Sequence, residues 1–293
     1  MKIIKTSTIK DILKPALYAG AIFFCVSTQA QYGVNDGQWA SYAGDAGSTK
    51  YSGLDQINAE NFDKLTLAWR WRSLDGDLSF DDVDREVSFG RMQGTPLMID
   101  GILYMITSLN QVAAIDAVTG QTLWHFNPEV YRNGAPVGAL GFHQRGVAYW
   151  KDGDAQRILV STNDGFVYSL KLEDGSVDPN FANGRIDLTD GIPRATRDEL
   201  DYLGSQPLGS VSPPIVVGDI LVVSQITSNR PRFKERPPLW IRGYDIRTGE
   251  TVWTFHTIPL EGEFGNDTWE EDSWRTAGNG GVWSMMSADL ELG

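Results

Sequence analysis

Cysteine is almost absent from this sequence. Cys25 is the only one among 293 residues, and it lies within the first thirty positions. A disulfide needs two cysteines, and covalent haem or thiolate metal sites need several, so the rest of the chain can form none of these. Its stability must therefore come from a packed core rather than from cross-links.

Long hydrophobic runs are also scarce. The run ALYAGAIFFCV at residues 16–26 follows four lysines, and the small residues Thr28 and Ala30 come shortly after it. This order is typical of a secretory signal peptide, so we predict a signal at residues 1–30, cleavage after Ala30 and a periplasmic protein. The run is shorter than the roughly 20 residues that a membrane-spanning helix needs. An uncleaved anchor remains the alternative.

Positive charge is in short supply. The chain has 25 lysines and arginines against 38 acidic residues, which gives a net charge of −13 and a pI near 4.6. A surface this acidic repels phosphate backbones, so we expect no nucleic-acid partner.

Aromatic residues and glycines are plentiful. Aromatics make up 11 % of the chain, with 10 tryptophans, and there are 31 glycines. Bulky rings favour strands and glycines favour turns, so this combination indicates an all-β protein built from short strands.

One hairpin pattern occurs repeatedly along the chain. The segments AIDAVTGQTLWHF (114–126) and GYDIRTGETVWTF (243–255) each predict a strand ending in Asp, a Thr-Gly turn, and a strand closing on Trp and a second aromatic. A degenerate copy, VYSLKLEDGSVDPNF (167–181), predicts a closing strand that ends at Phe181. Another strand pair precedes each copy, so every unit should be a sheet of four antiparallel strands.

Sheets of this kind favour radial stacking. A four-stranded amphipathic sheet cannot bury both faces alone, and units packed around an axis form a β-propeller. We therefore predict an all-β partial β-propeller of four-stranded antiparallel blades; an ordinary β-sandwich is the alternative. Three blades cannot close a ring, so we expect residues 31–293 to be the N-terminal part of a longer propeller.

The spacing of the repeats exceeds one blade. A blade needs about 40–45 residues, and the extra residues map to 127–147, 182–211 and 226–241. We expect these insertions between particular strands and on one face, where binding residues are usually carried.

Several further segments carry a family resemblance. They are the entrance WASYAGDAGSTKYSGLDQINAENFDKLTLAWRW (39–71), QGTPLMIDGILY (93–104), RGVAYW (145–150), IRGYDIRTG (241–249) and NDTWEEDSW (266–274). Together with the repeats, they resemble the pyrroloquinoline-quinone (PQQ) dehydrogenases, the quinoprotein alcohol and glucose dehydrogenases.

The resemblance implies a fold, a cofactor and a reaction. The fold is an eight-bladed propeller with PQQ near its axis, held against a calcium ion. The activity is oxidation of the CH–OH group of an alcohol, polyol or aldose, with electrons passed to a quinone or a cytochrome. A peripheral association with the membrane is left open. The aspartate that acts as base and the second calcium side-chain ligand are expected beyond Gly293.

Resemblance also assigns residues to the cofactor, which is a planar, tricarboxylated anion. Trp283 corresponds to the aromatic floor, although it could instead be a blade-core tryptophan like Trp124. Arg145 corresponds to a cofactor contact, since a guanidinium binds carboxylate or quinone oxygens in a bidentate manner; a surface arginine is the alternative. Gln93 corresponds to a polar contact, or satisfies its own backbone. Ser212 is included because Val211 occupies the position expected to carry a hydroxyl.

Glu235 is the one acidic residue of the loop that carries a calcium ligand in the family. Calcium prefers hard oxygen ligands, so Glu235 is the candidate, with a solvated surface charge as the alternative. The family's methanol-oxidising members have adjacent cysteines before the arginine, where this sequence has Ala139 and Leu140. This difference favours the group that resembles the glucose and polyol enzymes.

A non-catalytic propeller serving as an envelope scaffold is the rival interpretation. A scaffold has no reason to direct Gln93, Arg145 and Trp283 towards one axis. Their placement in the fold therefore distinguishes the two hypotheses.

Overall fold

The computed structural model describes residues 33–34, 37–138, 140–198, 204–228 and 235–292. The predicted signal peptide lies outside these ranges. The strands are β1 (Leu97–Ile99), β2 (Ile102–Ile106), β3 (Val112–Asp116), β4 (Thr122–Phe126), β5 (Ala148–Asp152), β6 (Ala155–Ser161), β7 (Phe166–Lys171), β8 (Ile186–Asp187), β9 (Ile215–Val217), β10 (Ile220–Val223), β11 (Ile241–Asp245) and β12 (Thr251–Phe255). Short 3₁₀ helices occupy Phe62–Lys64, Leu74–Asp77, Val130–Arg132, Ala182–Gly184, Asn266–Thr268 and Glu270–Arg275.

The strands form three separate sheets, each of four antiparallel strands. Blade 1 is β1–β4, blade 2 is β5–β8 and blade 3 is β9–β12, and within each blade the spatial order follows the chain. The predicted partial propeller of four-stranded blades is confirmed. No helix in the described ranges is long and apolar enough to cross a membrane.

The Asp-x-x-Thr-Gly turn has a local cause. Asp116 Oδ1 accepts hydrogen bonds from the backbone N–H groups of Val118 and Thr119 and from the Thr119 hydroxyl, at 3.0, 2.7 and 2.8 Å. Gly120 closes the turn at a φ of +74°, where a side chain would be strained. The bonds from Thr119 hold the pKa of Asp116 below its ordinary value. The repeated motif is thus a self-contained turn that needs no tertiary partner.

In blades 1 and 2, a tryptophan from an earlier part of the chain contacts the turn that follows the third strand. The Trp69 Nε1–H donates to the Ala117 carbonyl at 3.1 Å, and the Trp124 Nε1–H donates to the Leu172 carbonyl at 3.0 Å. A Cβ at Gly120 would lie 2.6 Å from the Trp69 ring. The turn glycine is therefore required both by its backbone angle and by the ring packed on it.

Blade 2 departs from the predicted strand ending at Phe181, and that prediction is wrong. Val177 makes one bridge to β7, and the pairing resumes only at β8, opposite Phe166 and Val167. Pro179 lies in the interruption and has no N–H to donate to a ladder. Phe181 is instead buried in the core between blades 2 and 3.

The insertions do not all occupy equivalent connections. Residues 127–147 and the segment after β8 link successive blades, whereas 226–241 lies inside blade 3, between β10 and β11. Because neighbouring strands are antiparallel, the connections that leave the second and fourth strands emerge at the same edge. The topology therefore supports the prediction that the insertions share one face. They do not, however, all follow the same strand of a blade.

Apolar side chains of the described residues pack between neighbouring blades. Leu97, Tyr104, Ile158 and Leu170 pack between blades 1 and 2. A second core lies between blades 2 and 3. Such burial contributes roughly 1.5–3 kcal/mol for each large side chain, so the packing of neighbouring blades stabilises the fold.

Candidate cofactor site

The segments that lead into the first strand of each blade lie side by side. The Thr95 N–H donates to the Arg145 carbonyl at 2.8 Å, and the Arg145 N–H donates to the Val211 carbonyl at 3.2 Å. Thr95 precedes β1, Arg145 precedes β5 and Val211 precedes β9. Residues about 50 and 66 positions apart are thus brought into one row by blade stacking.

Arg145, Ser212 and Trp283 form one cluster beside this row. Arg145 Nη1 donates to the Val211 carbonyl and the Ser212 hydroxyl, both at 3.2 Å, and to the Trp283 carbonyl at 3.3 Å. The Ser212 hydroxyl donates to the Trp283 carbonyl at 2.6 Å. The Arg145 Cζ lies 5.3 Å from the centroid of the Trp283 ring. Three of the four predicted cofactor residues are therefore neighbours.

The Arg145 guanidinium lacks an acidic partner among the described residues. Two other partly buried arginines are paired, Arg157 with Asp178 at 2.9 Å and Arg197 with Asp187. The buried Arg236 and Arg242, like Arg145, have no ion-pair partner among the described residues. Burial lowers the pKa of Arg145 from its ordinary value, but an arginine remains cationic at neutral pH. A half-buried positive charge without a carboxylate is well suited to bind an anionic ligand.

An open pocket of about 500 Å³ adjoins the cluster, within the range usual for small-molecule sites. Polar groups on its walls come from His143, Thr227 and Asn279, and the Leu140 side chain also lines it. Its remaining walls are Gly138, Val211, Ile226, Leu239, Gly281 and Trp283. Most of these residues belong to the insertions at one edge of the blades.

Trp283 differs from the tryptophans that join the blades. Its side chain is 59 % exposed, and its ring faces the pocket and the Arg145 guanidinium. Trp124, by contrast, packs on Gly175 and donates to the backbone of blade 2. An exposed flat ring beside a cation can stack on a planar anion.

Ser212 is placed differently from a pocket-lining hydroxyl. It is 1 % exposed, and its hydroxyl links Arg145 to the Trp283 carbonyl. Val211 provides the pocket wall at this point. Ser212 therefore positions the neighbouring residues from behind the wall.

Gln93 makes no direct hydrogen bond to this cluster. It lies two residues before Thr95, whose N–H binds the Arg145 carbonyl. Its side-chain oxygen is buried and has no hydrogen-bond partner among the described residues. An unpaired buried amide oxygen is uncommon in folded proteins and is compatible with a ligand contact.

Glu235 is exposed and lies near a cation. Arg194 donates to the carbonyl of the adjacent Arg236 at 2.7 Å, and the Glu235 charge opposes the burial that lowers the pKa of Arg194. Within the described ranges, no three His, Cys, Asp or Glu side chains are grouped to hold a metal ion. Glu235 is therefore the single acidic side chain that the sequence analysis named as a ligand for such an ion.

Asn163 supports the site, and sequence reasoning missed it. Its amide accepts from the His143 N–H at 3.1 Å and donates to the His143 and Ser210 carbonyls, each at 2.9 Å. In the sequence, Asn163 is simply followed by Asp164 and Gly165, as expected for the hairpin turn between β6 and β7. No local signal distinguishes a turn asparagine from one that also holds a distant segment.

Comparison with known proteins identifies the family of this chain. The family described as "PQQ: Glucose/ethanol/alcohol dehydrogenase, beta-propeller domain" matches residues 39–293. The chain belongs to this family.

Individual relatives of this PQQ-family propeller agree with the match. The chain is 29 % identical over 279 residues to the dehydrogenase subunit of alcohol dehydrogenase (quinone) from Gluconobacter oxydans (strain 621H), covering 89 % of this chain and 32 % of the relative. It is 30 % identical over 253 residues to quinoprotein glucose dehydrogenase A from Acinetobacter calcoaceticus, covering 79 % and 29 %. The chain thus spans about a third of the length of these relatives.

A solved structure shows the same PQQ-family architecture. The quinohemoprotein alcohol dehydrogenase from Comamonas testosteroni superimposes with a TM-score of 0.65 and 25 % identity, over 87 % of this chain and 34 % of that one. The resemblance inferred from the repeats is confirmed at the level of family and fold.

Proposed function

We propose that this chain forms the PQQ-binding part of a quinoprotein dehydrogenase that oxidises the CH–OH group of an alcohol, polyol or aldose. The carrying observation is the cluster of Arg145, Ser212 and Trp283 beside an open pocket. Relatives named as quinone-dependent alcohol and glucose dehydrogenases support the reaction class.

The residues present fit a flat polycarboxylated cofactor. Arg145 supplies a permanent positive charge with no carboxylate partner among the described residues, and Trp283 supplies an exposed flat ring beside it. When bound, PQQ supplies the two-electron oxidising capacity that amino-acid side chains lack.

The chain's own residues bind and orient the cofactor. The Nε and Nη2 atoms of the Arg145 guanidinium can donate to a carboxylate or quinone oxygen. The Ser212 hydroxyl donates to the Trp283 carbonyl and so helps to position the Trp283 ring. The Gln93 side-chain oxygen is an unpaired acceptor near the row of backbone bonds. Ile226 and Leu239 make part of the wall apolar, which excludes water.

Calcium is proposed as the associated metal, with Glu235 as one ligand. Support comes from the family resemblance and from the position of Glu235 beside Arg236, whose guanidinium binds the Thr227 hydroxyl near the pocket at 3.3 Å. The exposure of Glu235 leaves its carboxylate free to approach an ion.

The proposed partners follow from the reaction. They are a small-molecule alcohol or sugar, and a quinone or cytochrome that accepts the electrons. The periplasm is the proposed location, because the sequence begins with a predicted secretory signal at residues 1–30.

The envelope-scaffold alternative gains no support from the site. A scaffold requires blade edges and surfaces, not an unpaired guanidinium against an exposed tryptophan at the row where the blades meet. We therefore retain the dehydrogenase as the proposed function.

A dye-reduction assay of the full-length protein tests this proposal. Alcohols, polyols and aldoses are offered with and without PQQ and calcium, and we expect turnover only when both are present. The Glu235→Gln variant should need more calcium, whereas Glu270→Gln, a change at another exposed acid, should not. PQQ-independent turnover, or no PQQ binding by the wild-type protein, would reject the assignment.

A further inference from the structure

His143 is a buried histidine whose position is fixed on three sides. It is 3 % exposed. Its backbone N–H and carbonyl both bind the Asn163 amide, at 3.1 and 2.9 Å. Its ring Nδ1 lies 2.8 Å from the Gly141 carbonyl. These contacts fix both the backbone and the ring orientation.

The contact with Gly141 also settles the tautomer. A carbonyl oxygen can only accept a hydrogen bond, so Nδ1 must carry the proton. The other ring nitrogen, Nε2, then has a free lone pair and is an acceptor. It is buried and has no hydrogen-bond partner among the described residues.

The ring of His143 lines the pocket that contains Trp283. Burial, and then the nearby Arg145 charge, lower the pKa of His143 from its ordinary value, against the Gly141 bond that raises it. The imidazole is therefore neutral at physiological pH, and Nε2 keeps its acceptor lone pair.

We propose that His143 Nε2 accepts a hydrogen bond from an N–H or O–H group of the ligand held beside Trp283, and is thus a binding residue of this pocket. A buried acceptor without a partner is destabilising, whereas the same acceptor facing a ligand contributes to affinity and orientation. The proposal rests on the proposed function for the identity of that ligand.

Two donors of the PQQ cofactor match this acceptor. Oxidised PQQ has one ring N–H, which the reduced form retains, and only the reduced quinol has O–H groups. Comparing the two redox forms therefore identifies the donor. Both belong to the same ligand chemistry, a planar polycarboxylate with a hydrogen-bond donor.

The test compares His143→Asn with His143→Gln in the full-length apo-protein. Asn can still donate to the Gly141 carbonyl but places no acceptor at the Nε2 position, whereas Gln can place an amide oxygen close to it. The control is His125→Asn, a change of an exposed histidine on β4. PQQ affinity is measured by calorimetry for the oxidised cofactor and, under anaerobic conditions, for the reduced one.

We expect His143→Asn to bind about tenfold more weakly, with partial recovery in His143→Gln and no change in His125→Asn. Loss for both redox forms identifies the ring N–H, and loss for the reduced form alone identifies a quinol hydroxyl. Equal affinity of all variants for both forms overturns the proposal. If the wild-type protein binds no PQQ, the proposed function fails and this inference fails with it.

A measurement on the wild-type protein guards against misfolded variants. In protein labelled with ¹⁵N-histidine, the signal of the unprotonated His143 Nε2 should move to lower frequency when PQQ is added. An unchanged signal in the presence of bound PQQ contradicts the hydrogen bond.

Discussion

At the residue scale, the position of Arg145 favours ligand binding, because its guanidinium has no acidic partner among the described residues and lies beside Trp283, which lines the pocket. Arg157 and Arg197 neutralise aspartates and hold segments of blade 2 in place. Among the described residues, the Arg145 guanidinium donates to two backbone carbonyls and one hydroxyl, and it lies beside a tryptophan ring. A partly desolvated cation held this way gains most from an anionic ligand, which would restore its ion pairing.

We expect Arg145→Ala to weaken PQQ binding by about 10- to 100-fold, because charge-assisted hydrogen bonds contribute roughly 1.5–3 kcal/mol each. Arg145→Lys keeps the charge but loses the planar fork, so its affinity should be intermediate. Titration of the full-length apo-protein with PQQ measures the effect.

The matched control for Arg145 is Arg72→Ala, at an exposed arginine paired with Asp77. It should leave PQQ affinity unchanged. A PQQ titration of Arg145→Ala that superimposes on wild type would remove Arg145 from the site.

At the element scale, the docking of a tryptophan on a turn glycine explains why the hairpin is repeated. Gly175 closes the turn after β7 at a φ of +72°, and the Trp124 ring packs directly on it. The same Trp124 donates to the backbone of that turn. The turn of blade 3 differs. There Ala182, and not a tryptophan ring, lies next to the turn glycine Gly249.

We expect Gly175→Ala to lower the free energy of unfolding by about 2–5 kcal/mol. A methyl group there would lie 2.4 Å from the Trp124 ring, and overpacking costs about 1–3 kcal/mol in addition to about 1–2 kcal/mol for the left-handed backbone. Urea unfolding measures the difference.

Gly153→Ala separates these two contributions. Gly153 also has a positive φ, +55°, but a Cβ there would meet nothing within 4 Å. We expect this variant to lose only the backbone contribution of about 1–2 kcal/mol. Equal losses in both variants would show that ring packing contributes little.

At the scale of the whole molecule, the candidate site depends on which residues the blades bring to one edge. The insertions supply most of the pocket walls, and the segments before β1, β5 and β9 supply the row beside which Arg145 lies. None of these segments is close to the others in sequence. The net charge of −13 is unfavourable for binding a phosphate backbone.

We expect the exported protein to begin at Gln31, after removal of residues 1–30 by signal peptidase. Intact-mass analysis of the periplasmic fraction checks this. Recovery of a membrane-bound protein that keeps residues 1–30 would favour the uncleaved anchor. A chain found only in the cytoplasm would contradict the proposed location.

The sequence by itself determined the strand pattern, the blades and the family. These features have local causes. The Asp-x-x-Thr-Gly turn satisfies its own hydrogen bonds, and successive strands joined by short turns pair with each other. The prediction was wrong where the local pattern was degenerate. The strand predicted to end at Phe181 is interrupted around Pro179 and resumes at β8.

Only the tertiary structure decided how the site is arranged. Ser212 lies behind the pocket wall, and His143, a residue of that wall, keeps a buried ring nitrogen without a partner among the described residues. Their positions are set by Trp283 and Asn163, which are distant in sequence. Such orientations depend on how separate blades stack. The physical reason is that turns are specified by neighbouring residues, whereas side chains at a shared edge are fixed by contacts that exist only after the blades have packed.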